Sequence, residues 1–240
     1  MPVYRLTEEI IFPPPQLADK TGLLAIGGDL CEERLLLAYS LGIFPWYSED
    51  EPILWWSPDP RLVLYPGKIR ISKSLEKIIK KQVFDITFDS AFEQVINLCS
   101  SAGGREDKGT WILPEMIDAY CALHETGFAH SVEAWRDGTL AGGLYGVSLG
   151  RCFFGESMFA LESNASKVAF ARLVKYLKEN SFDLVDCQVS TGHLKRFGAE
   201  EIPRSLFLKL LKKSLESPTM KGKWSYSSKR VAVTGFYADE

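Results

Sequence analysis

The sequence lacks the features that mark a metal site, a disulfide framework or a membrane span. Its five cysteines are far apart and include no C-x-x-C pair, and its three histidines show no H-E-x-x-H spacing. No apolar run approaches the ~20 residues that cross a bilayer. Residues 1–20 also lack the basic and apolar regions of a signal peptide. We therefore expect a cytoplasmic protein with reduced thiols and no bound metal.

The common nucleotide and nucleophile motifs are absent as well. Residues 104–109 have the glycine spacing of a phosphate loop, but Thr110 stands where that motif requires Lys. No G-x-G-x-x-G follows a predicted strand, and there is no G-x-S-x-G elbow. These absences argue against a triphosphate cradle, a dinucleotide site and a serine hydrolase.

The charged residues nearly balance, with 28 Lys and Arg against 31 Asp and Glu and a net charge of -3. This total argues against a nucleic-acid binder, which needs a dense basic face. Two segments, 68–81 and 204–230, nevertheless concentrate the cations, and Trp224 and Tyr226 interleave the second as rings do in single-strand sites. RNA binding and an ordinary solvated helix face both remain open for the first segment.

Composition separates the first 60 or so residues from the rest. Residues 1–62 are dense in Pro, Gly and Trp and predict a small domain with one helix, capped by Asp29. Within 42–61 the prolines fix φ, which predicts a rigid aromatic loop with neither helix nor central strand. Trp55 and Trp56 are expected in the core of that domain, and Trp46 is the candidate for an exposed stacking platform.

The periodicity from residue 61 onward predicts an α+β fold. Asp89 is expected to cap one of its helices. The predicted strands are 61–65, 84–88, three antiparallel strands across 129–159, and 182–189. The predicted helices are 72–81, 89–99, 114–124, 163–180, 191–197 and 203–215.

Three polar residues stand out on apolar strands. Glu156 lies in the predicted hairpin, and Asp186 and Gln188 lie two apart, so the latter two should share one face of their strand. Burying a carboxylate without a partner is costly, so such a group is normally paired or functional. A structural ion pair and a catalytic role are both open from spacing alone.

Blocks spread over nearly the whole chain resemble the bacterial leucyl/phenylalanyl-tRNA–protein transferases. They are GLLAIGGDL (22–30), GIFPWYSEDEPILWWSPDPR (42–61), GTWI (109–112), GGLYG (142–146), GESMF (155–159), NASK (164–167), DCQ (186–188) and GAEEIPR (198–204). The resemblance implies transfer of Leu or Phe, and less readily Met, from tRNA to the N-terminal Arg or Lys of a protein, which marks that protein for degradation. It also implies a small N-terminal domain (1–62) on a GNAT-type acyltransferase-like domain (63–240) with a mixed, largely antiparallel sheet.

The same resemblance implies roles for individual residues. Gln188 would accept from and orient the attacking amine, and Asp186 would support it through a hydrogen-bond relay and attract the cationic acceptor. Either Asp186 or the ribose 2′-hydroxyl would carry the proton. Glu156 would hold the aminoacyl end or the terminal adenosine, whose base would stack on Trp46 and Trp111.

Two further sets follow from the resemblance. The Leu or Phe side chain would lie in a pocket of Leu144, Phe153, Met158, Leu173 and Val185, although ordinary core packing also accounts for three of them, Leu144, Leu173 and Val185. The tRNA backbone would contact Lys68, Arg70, Lys73, Lys77, Lys80 and Lys81. No cofactor is expected, and a monomer is the simplest assumption.

Two other functions are open. One is an acyl-CoA N-acyltransferase of the same architecture, although the stretch from Glu156 to Asn164 offers no glycine-rich pyrophosphate loop. The other is an inert RNA-binding module, which would leave Asp186 and Gln188 unexplained.

Overall fold

The structure is a computed structural model of the chain. It describes residues 3–102 and 110–225, which form two β-sheets and the helices packed around them. The glycine-spaced segment 104–109 and Tyr226 lie outside the described residues. Within the described part, each helix is too short or too polar to cross a membrane.

Four short strands form the first sheet, in the spatial order β1, β2, β4, β3. They are β1 Tyr4–Leu6, β2 Leu23–Gly27, β3 Phe44–Pro45 and β4 Leu54–Trp56, with α1 Glu32–Ser40 between β2 and β3. The predicted aromatic loop without a central strand is therefore wrong, because β4 pairs with strands on both sides. The prolines permit this pairing, since β4 lies between Pro52 and Pro58 and Pro45 lies on an edge strand.

Seven strands form the second sheet, in the spatial order β11, β5, β10, β9, β8, β7, β6. In chain order they are β5 Arg61–Leu64, β6 Asp85–Phe88, β7 Ala129–Arg136, β8 Thr139–Leu149, β9 Cys152–Ala160, β10 Leu184–Gln188 and β11 Glu200–Ile202. Strands β9 and β10 are parallel, and the other neighbouring pairs are antiparallel. The predicted α+β class with a mixed sheet is confirmed.

Helices cover both faces of the second sheet. They are α2 Lys73–Lys80, α3 Phe92–Ser101, α4 Pro114–Glu125, α5 Ala165–Glu179, α6 Gly192–Arg196 and α7 Arg204–Ser214. The apolar residues of α2 and α5 belong to the core on one face, whereas those of α3, α4 and α7 belong to the core on the other. That second core also contains α1 and β4, so the two sheets share one apolar interior.

Two predicted helix caps are wrong, because both helices begin two residues later than expected and both carboxylates have other partners. Helix α1 begins after Cys31, and Asp29 instead pairs with the buried guanidinium of Arg34 at 3.2 Å. Helix α3 begins after Ala91, and the buried Asp89 accepts hydrogen bonds from β7 and from the C-terminal segment. A buried cation or a buried strand end therefore takes precedence over local capping at these positions.

The C-terminal segment corrects another expectation, since Trp224 is a core residue and does not belong to a basic-aromatic surface. Its side chain is 2% exposed, and its ring stacks on His130 with centroids 3.7 Å apart. Its backbone N–H donates to Asp89 Oδ2 at 2.7 Å, and the same oxygen lies 2.8 Å from His130 Nδ1. The ring thus fastens the segment after α7 to β7.

Replacing Trp224 by Ala should lower the free energy of unfolding by about 3–5 kcal/mol, the usual cost of deleting a fully buried large aromatic ring. Urea denaturation followed by far-UV circular dichroism measures this loss. Trp46→Ala is the matched control, because Trp46 is 43% exposed and its removal leaves no closed cavity. Equal losses for the two variants would show that Trp224 is not a core anchor.

Candidate active site

A cavity of about 480 Å³ opens where the two parallel strands of the second sheet part. Pairing between β9 and β10 ends at Phe154 and Asp186, although β9 continues for six more residues. The space beyond this point is lined on one side by residues 155–158 of β9 and on the other by residues 187–189. Its volume lies in the range of ~300–1,000 Å³ that is usual for small-molecule sites.

The cavity brings together eight of the predicted site residues. They are Trp111, Leu144, Phe153, Glu156, Met158, Leu173, Val185 and Gln188. The sequence reasoning missed Phe170 and Cys187, which also line the cavity. Periodicity could have found both, because Phe170 precedes Leu173 by one helical turn and Cys187 follows Val185 by one strand repeat.

Glu156 is the centre of a hydrogen-bond network at the polar end of the cavity. Gln188 Nε2 donates to Glu156 Oε1 at 2.7 Å, and Tyr39 Oη donates to the same oxygen at 2.8 Å. Tyr120 Oη lies 3.2 Å from Glu156 Oε2, and the two phenol oxygens also contact each other. The sequence reasoning missed both tyrosines, which reach the site from α1 and α4 and carry no local motif.

Burial shifts the ionisation of this network. It raises the pKa of Glu156 to about 7, against hydrogen bonds from both tyrosines and Gln188 that favour the carboxylate, and the charge of Asp186 raises it further. Burial, together with the charge of Glu156, raises the pKa of Tyr39 and Tyr120 well above its ordinary value. Both phenols therefore keep their protons at neutral pH.

Asp186 is fully buried and forms an ion pair, which is one of the two possibilities left open by its spacing. Arg61 Nε donates to Asp186 Oδ1 at 2.8 Å, and Arg61 Nη2 donates to Oδ2 at 2.6 Å. The guanidinium lies between the rings of Phe44 and Phe207, 4.7 and 4.6 Å from their centroids. Asp186 is not among the described residues that line the cavity.

The contact between Asp186 and Gln188 runs through the backbone. Asp186 Oδ1 accepts the backbone N–H of Gln188 at 2.9 Å, across an irregularity in the β10 register. Gln188 has a φ of 59°, a left-handed conformation that is unfavourable for a side chain with a Cβ. The Arg61–Asp186 pair thus holds the backbone bend that directs the Gln188 amide to Glu156. Arg61 was missed because its partner lies 125 positions away in the sequence.

The remaining predicted residues lie away from the cavity lining. Trp46 is exposed, does not line the cavity in the described part of the chain, and has its ring centroid 5.8 Å from that of Trp56. Trp55 is fully buried, as expected, and its indole donates to the Gly27 carbonyl at 2.8 Å. Trp56, also expected in the core, is only half-buried. The predicted tRNA-backbone residues are all exposed: Lys68, Arg70, Lys73, Lys77, Lys80 and Lys81.

Two family models match the chain over most of its length. Residues 63–212 match the model for leucyl/phenylalanyl-tRNA protein transferase, and residues 28–59 match the model for the N-terminal domain of the same family. The chain belongs to the leucyl/phenylalanyl-tRNA–protein transferase family. It is therefore an aminoacyltransferase, and the acyl-CoA enzyme and the inert RNA-binding module are set aside.

Curated relatives with this family name match the chain almost end to end. The transferase of Desulfatibacillum aliphaticivorans is 59% identical over 228 residues, which is 95% of this chain and 98% of the relative. That of Desulforapulum autotrophicum is 56% identical and covers 95% of this chain and 99% of the relative. The chain thus matches both relatives over nearly their full length. Aminoacyl transfer from tRNA to protein is the activity that the family name describes.

Proposed function

We propose that the protein transfers Leu or Phe, and less readily Met, from its tRNA to the N-terminal Arg or Lys of acceptor proteins and so creates a degradation signal. The observation that carries the proposal is the cavity, whose apolar walls end at the amide of Gln188 and the carboxyl of Glu156. Its walls of Leu144, Phe153, Met158, Phe170, Leu173 and Val185 suit an apolar side chain that is not branched at Cβ. Met shares the volume and flexibility of Leu.

The reaction asks little of the protein beyond positioning and proton transfer. The aminoacyl ester is already activated, and an α-amine with a pKa of ~7.7–8 is partly neutral near pH 7. The nitrogen attacks the ester carbonyl, the ester C–O bond breaks, and one proton moves from nitrogen to the ribose oxygen. Catalysis therefore comes from orientation, from a proton acceptor and from stabilisation of the tetrahedral oxyanion.

The hydrogen bonds support a division of roles at the reaction centre. Because Gln188 Nε2 donates to Glu156, its carbonyl Oε1 is left to accept from the attacking amine. Asp186 supports Gln188 through the backbone N–H bond. Its charge is compensated by Arg61, so its attraction for a cationic acceptor is weaker than that of an unpaired carboxylate. Trp111, which lines the cavity, and Trp46 are the proposed stacking surfaces for the terminal adenine.

The remaining parts of the proposal concern the whole chain. We propose that the chain is divided into a small N-terminal domain, 1–62, and a GNAT-type catalytic domain, 63–240. The parting of the parallel strands β9 and β10 around the cavity supports the second assignment. A cytoplasmic monomer without a cofactor completes the proposal.

One assay tests this function. Purified protein is mixed with tRNA carrying labelled Phe and with an acceptor protein that begins with Arg, without ATP or CoA. Label should appear in this acceptor and be absent from a matched acceptor that begins with Gly. No label in the Arg acceptor, with intact Phe-tRNA at the end of the incubation, would overturn the proposal.

The exposed lysines of α2, together with Lys81 directly after it, should contact tRNA phosphates. Substituting Lys73, Lys77, Lys80 and Lys81 together by Gln should weaken tRNA binding and lower the slope of log affinity against log salt by about 3, at ~0.7 per lost contact. Binding titrations at four salt concentrations measure the slope. Lys20→Gln with Lys178→Gln is the control, because both lysines are exposed and lie outside the two basic segments. An unchanged slope in the fourfold variant would assign α2 to an ordinary solvated face.

A further inference from the structure

Glu156, Tyr39 and Tyr120 form a closed ring of oxygen contacts in a buried site. The three contacts join Tyr39 Oη to Glu156 Oε1, Tyr120 Oη to Glu156 Oε2, and the two phenol oxygens to each other. The phenols are fully buried, and Glu156 alone of the three lines the cavity. The ring therefore lies between the core and the substrate space.

Each hydrogen bond in this ring needs one proton of its own. Each phenol has one hydroxyl proton, so the two tyrosines supply two protons for three contacts. If Glu156 is ionised, two oxygens face each other without a proton, and a buried polar contact without its hydrogen bond is costly. If Glu156 is protonated, its O–H donates to one phenol, that phenol donates to the other, and the second phenol donates to the remaining carboxyl oxygen.

We propose that Glu156 carries a proton at neutral pH and that Tyr39 and Tyr120 hold this proton in the ring as a store for the transfer reaction. The proposal deepens the proposed function, on which its second half rests. Tyr39 and Tyr120 are positioning residues, because they act through Glu156. The groups that face Glu156 are Tyr39 of α1, Tyr120 of α4, and Asp186 and Gln188 of β10. The nearby cation, Arg61, is neutralised by its ion pair with Asp186. It therefore does not oppose protonation of Glu156.

The proton balance of the reaction closes through this carboxyl group. The amine nitrogen uses its lone pair to form the new C–N bond, and the ester C–O bond breaks with its electron pair on the ribose oxygen. That oxygen takes the proton of Glu156. The surplus proton on the nitrogen then returns to the Glu156 carboxylate, so the carboxyl group ends as it began.

Infrared spectroscopy tests the protonation without reference to activity. At pH 6 the wild type should show the C=O stretch of a protonated buried carboxyl that shifts in D₂O, and Glu156→Gln should lack that component of the difference spectrum. Glu133, whose pKa burial also raises, contributes equally to both proteins and cancels. A wild-type spectrum identical to that of Glu156→Gln would overturn the proposal.

The pKa of Glu156 in Tyr39→Phe distinguishes the ring from an arrangement in which both phenols only donate hydrogen bonds to a carboxylate. In the ring, removing the Tyr39 hydroxyl leaves one contact, between Tyr120 and Glu156, and the Tyr120 proton satisfies it. The ionised carboxylate then no longer leaves two oxygens facing each other without a proton, so the pKa of Glu156 should fall. If the phenols merely donate to a carboxylate, the same variant should raise that pKa, which would contradict the ring. Tyr47→Phe is the matched control, because Tyr47 is a buried tyrosine that donates to Glu115 at 3.1 Å and not to Glu156.

Kinetics test the second half of the proposal. A fall of one unit in the pKa of Glu156 should lower kcat for transfer about tenfold above that pKa, with KM for Phe-tRNA unchanged, in Tyr39→Phe but not in Tyr47→Phe. An unchanged kcat in Tyr39→Phe would remove the ring from the reaction. If the wild type shows the protonated carboxyl and transfers nothing, the proposed function fails while the protonation of Glu156 stands.

Discussion

Replacing Arg61 by Ala should lower the free energy of unfolding by about 3–5 kcal/mol and abolish transfer. The substitution leaves the carboxylate of Asp186 buried without its counter-ion. An uncompensated buried charge strongly destabilises the folded state. The substitution also removes the cation from between Phe44 and Phe207. Chemical denaturation gives the stability, and the labelled-Phe assay gives the activity.

A double variant separates stability from positioning. Arg61→Met together with Asp186→Leu replaces the pair by apolar side chains of similar volume, and such replacements are often neutral or stabilising. Stability should therefore return to within about 1 kcal/mol of the wild type. Transfer should stay low, because the backbone N–H of Gln188 has lost the oxygen that fixes its left-handed bend. Full activity in a stable double variant would show that the pair serves folding alone.

Replacing Gln188 by Ala should lower kcat for transfer by about 10²-fold, because the attacking amine loses the carbonyl oxygen that we propose orients it. KM for the aminoacyl-tRNA should change little, because the apolar walls that we propose hold the aminoacyl side chain remain. The measurement is initial rate against Phe-tRNA concentration at saturating acceptor. A raised KM at unchanged kcat would assign Gln188 to binding.

Gln82 offers a matched control for the backbone. Its φ is 50°, close to the 59° of Gln188, but it is exposed and lies after α2, away from the cavity. Gln82→Ala imposes the same change of side chain on the same kind of strained backbone. It should leave kcat unchanged, so a loss seen only in Gln188→Ala comes from the amide and not from the bend.

The parts of the fold that local patterns govern could be predicted from the sequence. The hairpin turn at Asp137 and Gly138 lies between β7 and β8 as its residue types predict, and the apolar run at 182–189 contains strand β10. Val185 and Leu173 line the cavity as expected, although both lie outside the family blocks.

The rest depended on partners that are distant in the sequence. Asp89 reads locally as a cap, yet it accepts from His130 and from the backbone of Trp224, 135 positions away. The local sequence places Trp224 in a basic tail, because its partners His130 and Asp89 are also distant in the sequence. Tyr39 carries no motif, and only the shared interior brings it to Glu156. Local patterns report the face on which a residue lies, but long-range contacts decide its role.

The shared interior also has a consequence for how the chain melts. Residues of α1 and β4 pack in the same apolar core as α3, α4 and α7, so loss of the first sheet would expose core surface of the second. Heating the protein should therefore give one calorimetric transition, with equal calorimetric and van't Hoff enthalpies. We therefore expect the first sheet and the second sheet to unfold together, and the cavity between β9 and β10 to be lost in the same step.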